Sequence, residues 1–286
     1  MKDLKLLSCA FACLFIISAC EKDSVEEVVT DAVNEEVVLD ASLTLTEDVL
    51  TTLKTSNFNT SEVKVIDFHL PDGSIQKRYQ LEGDIALSKV QMDQFIALKS
   101  SNDRNYHTNN LVSPRTLSII GYTGGNFALS NKERTALQWA VNNYNRLNLG
   151  IRFNLTFGTN FQNKDMVVYN NAINNPGVSG GVAGFPSNGD PNKFIQIYGL
   201  NGFSTNVNEH VITHEMGHSV GFRHTDWFSR QSCGENVNEG SGGVGANPIP
   251  GTPAGYDPTS LMLACFNSSV DGEFNANDVT ALNYLY

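Results

Sequence analysis

Hydrophobic and polar positions along this chain fall into segments of different period. Leu43 to Thr55 places its apolar residues at helical spacing and predicts a short amphipathic helix. Val63 to Leu70 alternates instead, first through Val63 and Val65 and then, after a slip, through Ile66, Phe68 and Leu70. That pattern predicts a strand. Asp72-Gly73 is a tight-turn signal ahead of a second run, Ile75 to Leu81, so the two make a hairpin. Ser88 to Lys99 returns to helical spacing, and the polar stretch Ser100 to Asn110 reads as an exposed linker.

From Leu111 the texture changes. Thr116 to Tyr122, Ile151 to Phe157, Met166 to Tyr169 and Phe194 to Tyr198 read as strands. Ser130 with Glu133 three residues on is a capping box, opening a helix whose apolar face is Ala136, Leu137, Ala140, Val141 and Tyr144. Asn206, with Glu209 at the third position, is expected to cap the next helix. Ile212, Met216 and Val220 form its apolar stripe and would dock it on the sheet with the opposite face outward. An irregular Gly-, Pro- and Asn-rich stretch follows to about Pro258. Such a long loop is functional or tied down. Asn275 caps a last helix, with Asp278 three on and Val279, Leu282 and Leu285 apolar.

Composition narrows the classes. Of 286 residues 41% are hydrophobic and 17% charged, which suits a globular protein. The net charge of −11 is uneven: residues 21–50 hold ten acids and one base, marking a solvated tether, while the remainder is close to neutral. The lack of a basic patch argues against nucleic-acid binding. Lys2 and Lys5 precede an apolar run over residues 6–19, too short to span a bilayer but right for a signal peptide. The run ends Ile17-Ser18-Ala19-Cys20, which resembles a bacterial lipobox with Cys20 as the lipidated residue; ordinary cleavage nearby is the rival reading. Export implies an oxidising compartment, so Cys233 and Cys265 can pair across the long loop, a free buried pair being the alternative.

The candidate chemistry lies on the Asn206 helix, in HEMGHSVGFRHTD at residues 214–226. His214 and His218 are four apart and share one helical face. Glu215 sits between them as a general base, and the glycine at 221 lets the chain turn so that His224 returns as a third ligand. Three protein ligands leave one tetrahedral position open, the arrangement of catalytic zinc; a structural zinc would want four. The bland alternative is a polar helix with satisfied histidines. Against it, three of the chain's six histidines fall within eleven residues at ligand spacing. His69, His107 and His210 read as structural. A downstream glutamate such as Glu239 is a rival third ligand that His224 makes unnecessary. Asp226 is either a partner of the site or a turn cap.

The pattern H-E-x-x-H-x-x-G-x-x-H resembles the metzincin clan of zinc endopeptidases. Ser260-Leu261-Met262, after Asp257-Pro258, looks like that clan's Met-turn, with Met262 beneath the metal. Gly180 to Pro186 looks like the edge strand and loop of matrixins, which implies substrate lying antiparallel against Gly181, Val182 and Ala183. Within the clan, His214 to Trp227 most resembles the dual-action HEIGH metallopeptidases, with Met216 in place of the isoleucine. It differs from astacins, which have Glu where Thr225 stands and a tyrosine where Ala264 stands.

The resemblance covers about residues 111–286. It implies an α+β fold with a twisted mixed sheet, an active-site helix and a Met-turn, binding Zn2+ and hydrolysing protein or peptide substrates. The implied organisation is a signal peptide at 1–19, an acidic tether at 20–42, a small α+β propeptide or N-terminal domain at 43–110 and the protease at 111–286. The protein would then be exported and lipid-anchored to the bacterial envelope. Gly83-Asp84 resembles the Gly-Asp of astacin propeptides, making Asp84 a candidate latency ligand; a plain turn before Ser88, or a permanent spacer, are the other readings. The functional rival is a lipid-anchored binding protein that keeps an inactive protease fold.

Overall fold

A computed structural model describes residues 43–56, 58–98, 107–108, 110–235 and 249–286. The signal peptide, Cys20, the acidic tether, most of the 100–110 linker and Glu239 lie outside the described residues.

The N-terminal part begins with helix α1 (Glu47–Thr55), capped by Thr46. Strands β1 (Lys64–His69), β2 (Ile75–Leu81) and β3 (Ile85–Leu87) form an antiparallel meander, and helix α2 (Lys89–Leu98) follows. The β1–β2 register runs unbroken from Lys64 opposite Gln80 to His69 opposite Ile75. The slip read in the sequence is therefore not a backbone irregularity. The sheet is apolar on both faces: Val63 and Val65 pack with Leu53, Leu81 and Leu87, while Ile66 and Phe68 pack with Leu70, Val182 and Tyr198.

The larger part is built on strands β4 (Thr116–Tyr122), β5 (Arg152–Gly158), β6 (Met166–Asn170), β7 (Gly180–Val182) and β8 (Phe194–Tyr198), in the order β5-β4-β6-β8-β7. All neighbours are parallel except β7, which runs antiparallel to β8 at the edge. Helix α3 (Asn131–Asn145) makes the crossover between β4 and β5, opened by the expected Ser130–Glu133 capping box. Its apolar face and helix α4 (Thr205–Ser219) bury the central strands, and β6 is buried along its whole length, as a central parallel strand requires. Helix α5 (Ala276–Leu285) closes the core, with Asn275 and Asp278 forming its capping box.

Two expectations about α4 are corrected. Its N-cap is Ser204, whose hydroxyl accepts from the Val207 amide at 3.3 Å. The helix thus starts two residues earlier, Asn206 lies inside its first turn, and Glu209 accepts instead from Asn143 at 2.9 Å. Nor does the helix show a free face. Every residue from Val207 to Ser219 is buried: α3 and the sheet take much of the helix surface, and Asp84 of the N-terminal part lies against the histidines. The described residues form one compact unit.

Candidate metal centre and active site

Helix α4 fixes the first two imidazoles, with the His214 and His218 rings 4.6 Å apart. After Val220 the chain must reverse. Gly221 has φ of +109°, a conformation that residues with a Cβ rarely adopt, and the Phe222 amide then bonds back to the Gly217 carbonyl at 2.9 Å. The reversal delivers His224, whose Nε2 lies 3.2 Å from Nε2 of His218.

The outer nitrogens set the tautomers. His214 Nδ1 donates to the Leu261 carbonyl at 2.9 Å and His218 Nδ1 to the Phe222 carbonyl at 2.8 Å. A carbonyl only accepts, so both Nδ1 atoms carry the proton and both Nε2 lone pairs point inward. His224 Nδ1 faces Glu82 Oε2 at 3.0 Å. Asp84 Oδ2 completes the cluster, 3.0 Å from His224 Nε2, 3.4 Å from His214 Nε2 and 4.0 Å from His218 Nε2. The four inward atoms lie within 4.8 Å of one another. Imidazole lone pairs facing each other this closely repel unless a cation lies among them. Three imidazoles and a carboxylate form a donor set that suits a divalent transition metal, so the residues fit such an ion.

Glu215 is buried beside this cluster, and its Oε2 has no hydrogen-bond partner among the described residues. Burial, and then the charge of Asp84, raise its carboxyl well above the usual range. The Asp84 carboxyl is held low: burial opposes its charge, but the three histidines outweigh that. Burial likewise opposes charge on His224, yet Asp84 and then Glu82 lift it to about 10. His218 is pushed well down by burial and by its two histidine neighbours. His210 stays outside the cluster, stacked 6.4 Å from His214 and pressed down to about 3 by burial and then by His214.

Beneath the helix, Met262 packs against Gly217, where any Cβ would stand 2.5 Å from its sulfur. The turn around Met262 is fastened from three sides. Its carbonyl accepts from the Thr225 amide at 2.8 Å. Asp278 accepts from the Leu261 amide at 2.9 Å and the Ser260 hydroxyl at 2.8 Å. Asp226 accepts from the Ala264 amide at 2.9 Å and from the amide and hydroxyl of Ser232. Asp226 is thus the tie between the methionine turn and the loop that the Cys233–Cys265 disulfide closes.

The edge-strand residues sit against the site. A Cβ on Gly181 would meet Glu215 Cγ at 2.6 Å, so only glycine lets that carboxylate lie against β7. Ala183 is paired with the N-terminal part: its amide donates to the Asp84 carbonyl at 3.0 Å and its carbonyl accepts from the Ala86 amide at 2.6 Å, in parallel orientation. The structure therefore gathers Asp84, Glu215, His214, His218, His224, Met262 and the 181–183 strand in one place. It also adds residues not singled out as functional in the sequence, Glu82 and Arg223. The guanidinium of Arg223 is buried, donating to the Ser56 carbonyl at 2.7 Å, lying over the Phe58 ring and standing 3.6 Å from Glu82. The sequence signal for Glu82 was the acid pair flanking Gly83, and for Arg223 its place beside His224.

Among solved structures, two of myroilysin are similar: one at 15% identity over 59% of this chain and 91% of that chain, with a TM-score of 0.36, the other at 12% over 63% and 84%, with a TM-score of 0.33. No curated protein matches. Residues 79–286, which include every residue of the site, match the dual-action HEIGH metallo-peptidases. A match over this much of its length places the chain in the dual-action HEIGH metallo-peptidase family, and it is a metallopeptidase.

Proposed function

We propose that the chain is a zinc endopeptidase in which His214, His218 and His224 hold the metal and Glu215 is the general base. A zinc ion there supplies the Lewis acidity that makes water a competent nucleophile near neutral pH. Glu215 takes the proton from the attacking water and delivers it to the leaving amine. The backbone of Ala183 and its neighbours holds an extended substrate by strand addition. The observation that carries this reading is Glu215 itself, buried beside three converging imidazoles with a carboxylate oxygen left without a partner among the described residues. A binding protein with an inactive protease fold would have no use for it.

In the same reading, the N-terminal part keeps the enzyme latent. Asp84 stands where a catalytic site keeps a position open, and Ala86 uses the Ala183 carbonyl that a substrate would use. Lipidation at Cys20 would place the protein on the bacterial envelope, and changing Cys20 to Ser should release it from membranes.

The test is Glu215→Gln. Made in the Asp84→Ala chain, which the latency reading unblocks, the variant should bind one zinc per chain like its parent while hydrolysis falls by about 10²- to 10⁴-fold. Near-normal turnover would show that another group moves the proton.

A further inference from the structure

The three histidines are not held alike. The Nδ1 partners of His214 and His218 are the carbonyls of Leu261 and Phe222, which belong to the same part of the chain as the histidines themselves. The Nδ1 partner of His224 is the carboxylate of Glu82, 142 residues earlier. One imidazole thus has a carboxylate on each nitrogen, Glu82 outside and Asp84 inside, both from the turn between β2 and β3.

The geometry of that turn is specialised. Glu82 has φ of +53°, one of three non-glycine residues with positive φ among the described residues, and Gly83 follows at +93°. A non-glycine residue in this region costs about 1–3 kcal/mol and persists only where its surroundings enforce it. A Cβ on Gly83 would meet nothing within 4 Å, so glycine is there for its backbone and not for space. Two successive left-handed residues aim the side chains at 82 and 84 at the two edges of the same ring. The Glu82 carboxylate is fixed on its other oxygen as well, which accepts from the Asn59 amide at 3.1 Å and faces Arg223. Its side chain is 2% exposed.

A carboxylate on the outer nitrogen of a metal-binding imidazole fixes the ring and makes the inner nitrogen a stronger donor. We propose that Glu82 is a positioning residue of the metal centre, and that the N-terminal part serves the intact chain as a device for taking up and holding the metal as well as for covering it. Asp84 supplies a fourth ligand and closes the site in the manner of a structural one. Glu82 strengthens the third. The intact chain consequently binds the metal more tightly than the histidines and their own carbonyl partners would. This rests on the reading of His214, His218 and His224 as ligands, but not on the chain being an active peptidase.

The test is a zinc competition titration of the full chain against a chromophoric chelator, with Glu82→Gln and Gln91→Ala compared with wild type. Gln keeps the shape of Glu82 and an acceptor for Asn59 but removes the charge. Gln91→Ala removes a different tie of the N-terminal part, the side-chain bond to the Phe185 carbonyl, and leaves Glu82 and Asp84 in place. Glu82→Gln should weaken zinc binding by about 10- to 100-fold, and Gln91→Ala should leave it within about twofold. Unchanged affinity in Glu82→Gln, or an equal loss in both variants, would overturn the assignment. Should Glu82→Gln fail to fold, the zinc-loaded wild type decides the matter by NMR. An exchange-protected Nδ1 proton on His224 is expected, and its absence refutes the Glu82 contact. Hydrolysis enters neither readout, so failure of the endopeptidase proposal leaves this one standing, and failure here leaves that one standing.

Discussion

The floor and the cover of the metal centre are built differently. The floor is α4, the methionine turn and the closing loop. It is joined to one continuous apolar core that includes Val211, Ile212, Met216, Val220, Leu261 and Met262, and its polar ties run among residues 213–278. The cover is residues 43–98. It has two small clusters of its own, joined to the larger part through a few residues such as Phe185, Val182 and Tyr198. Its polar ties include Glu82, Asp84 and the Ala183 backbone at the site, and beyond it Gln91, which donates to the Phe185 carbonyl, and the carbonyls of Ser56, His69 and Pro71, which accept from Arg223, Tyr169 and Tyr122. The floor is thus one core tied from within, while the cover is docked on it and sets two carboxylates directly on the imidazoles beneath.

Damage to the floor should therefore cost stability. Opening the Cys233–Cys265 bridge, which spans 32 residues, should cost about 3–4 kcal/mol in a urea melt of the Cys233→Ser/Cys265→Ser chain. A midpoint unchanged at constant slope would remove the loop from the floor. Asp278→Ala strips the Leu261 amide and the Ser260 hydroxyl of their acceptor and breaks a capping box. A loss of about 2–3 kcal/mol is expected. It should come with weaker zinc binding, since the Leu261 carbonyl orients His214. A stability loss with zinc affinity intact would separate the methionine turn from the metal.

What the sequence disclosed divides along the same line. The convergence of His214, His218 and His224 was legible because helical period and one glycine fix their spacing within eleven residues. Both capping boxes were legible for the same local reason, and the disulfide because Cys233 and Cys265 are the two cysteines after Cys20 in a chain read as exported. Glu82 was not, since its partner His224 lies far away in the chain and only tertiary packing brings them together. Asp84 was picked out by its glycine, but its distance from the imidazoles could not be. The two-faced packing of β1 was misread as a slip because alternation reports one buried face, and this strand has two. The α4 cap was misplaced by two residues because Ser204 and Asn206 are both good caps and only packing chooses.

The smallest expected change in energy concerns the cover, and it tests the central claim most directly. Asp84→Ala in the full chain should raise hydrolysis of a denatured protein by about tenfold or more, as a tethered blocking group is lost, with little change in the urea midpoint. That activity should vanish with a chelator, return with zinc, and be absent when Glu215→Gln is added. An Asp84→Ala chain that cleaves nothing with zinc bound, or cleaves equally well with the metal removed, would contradict the account.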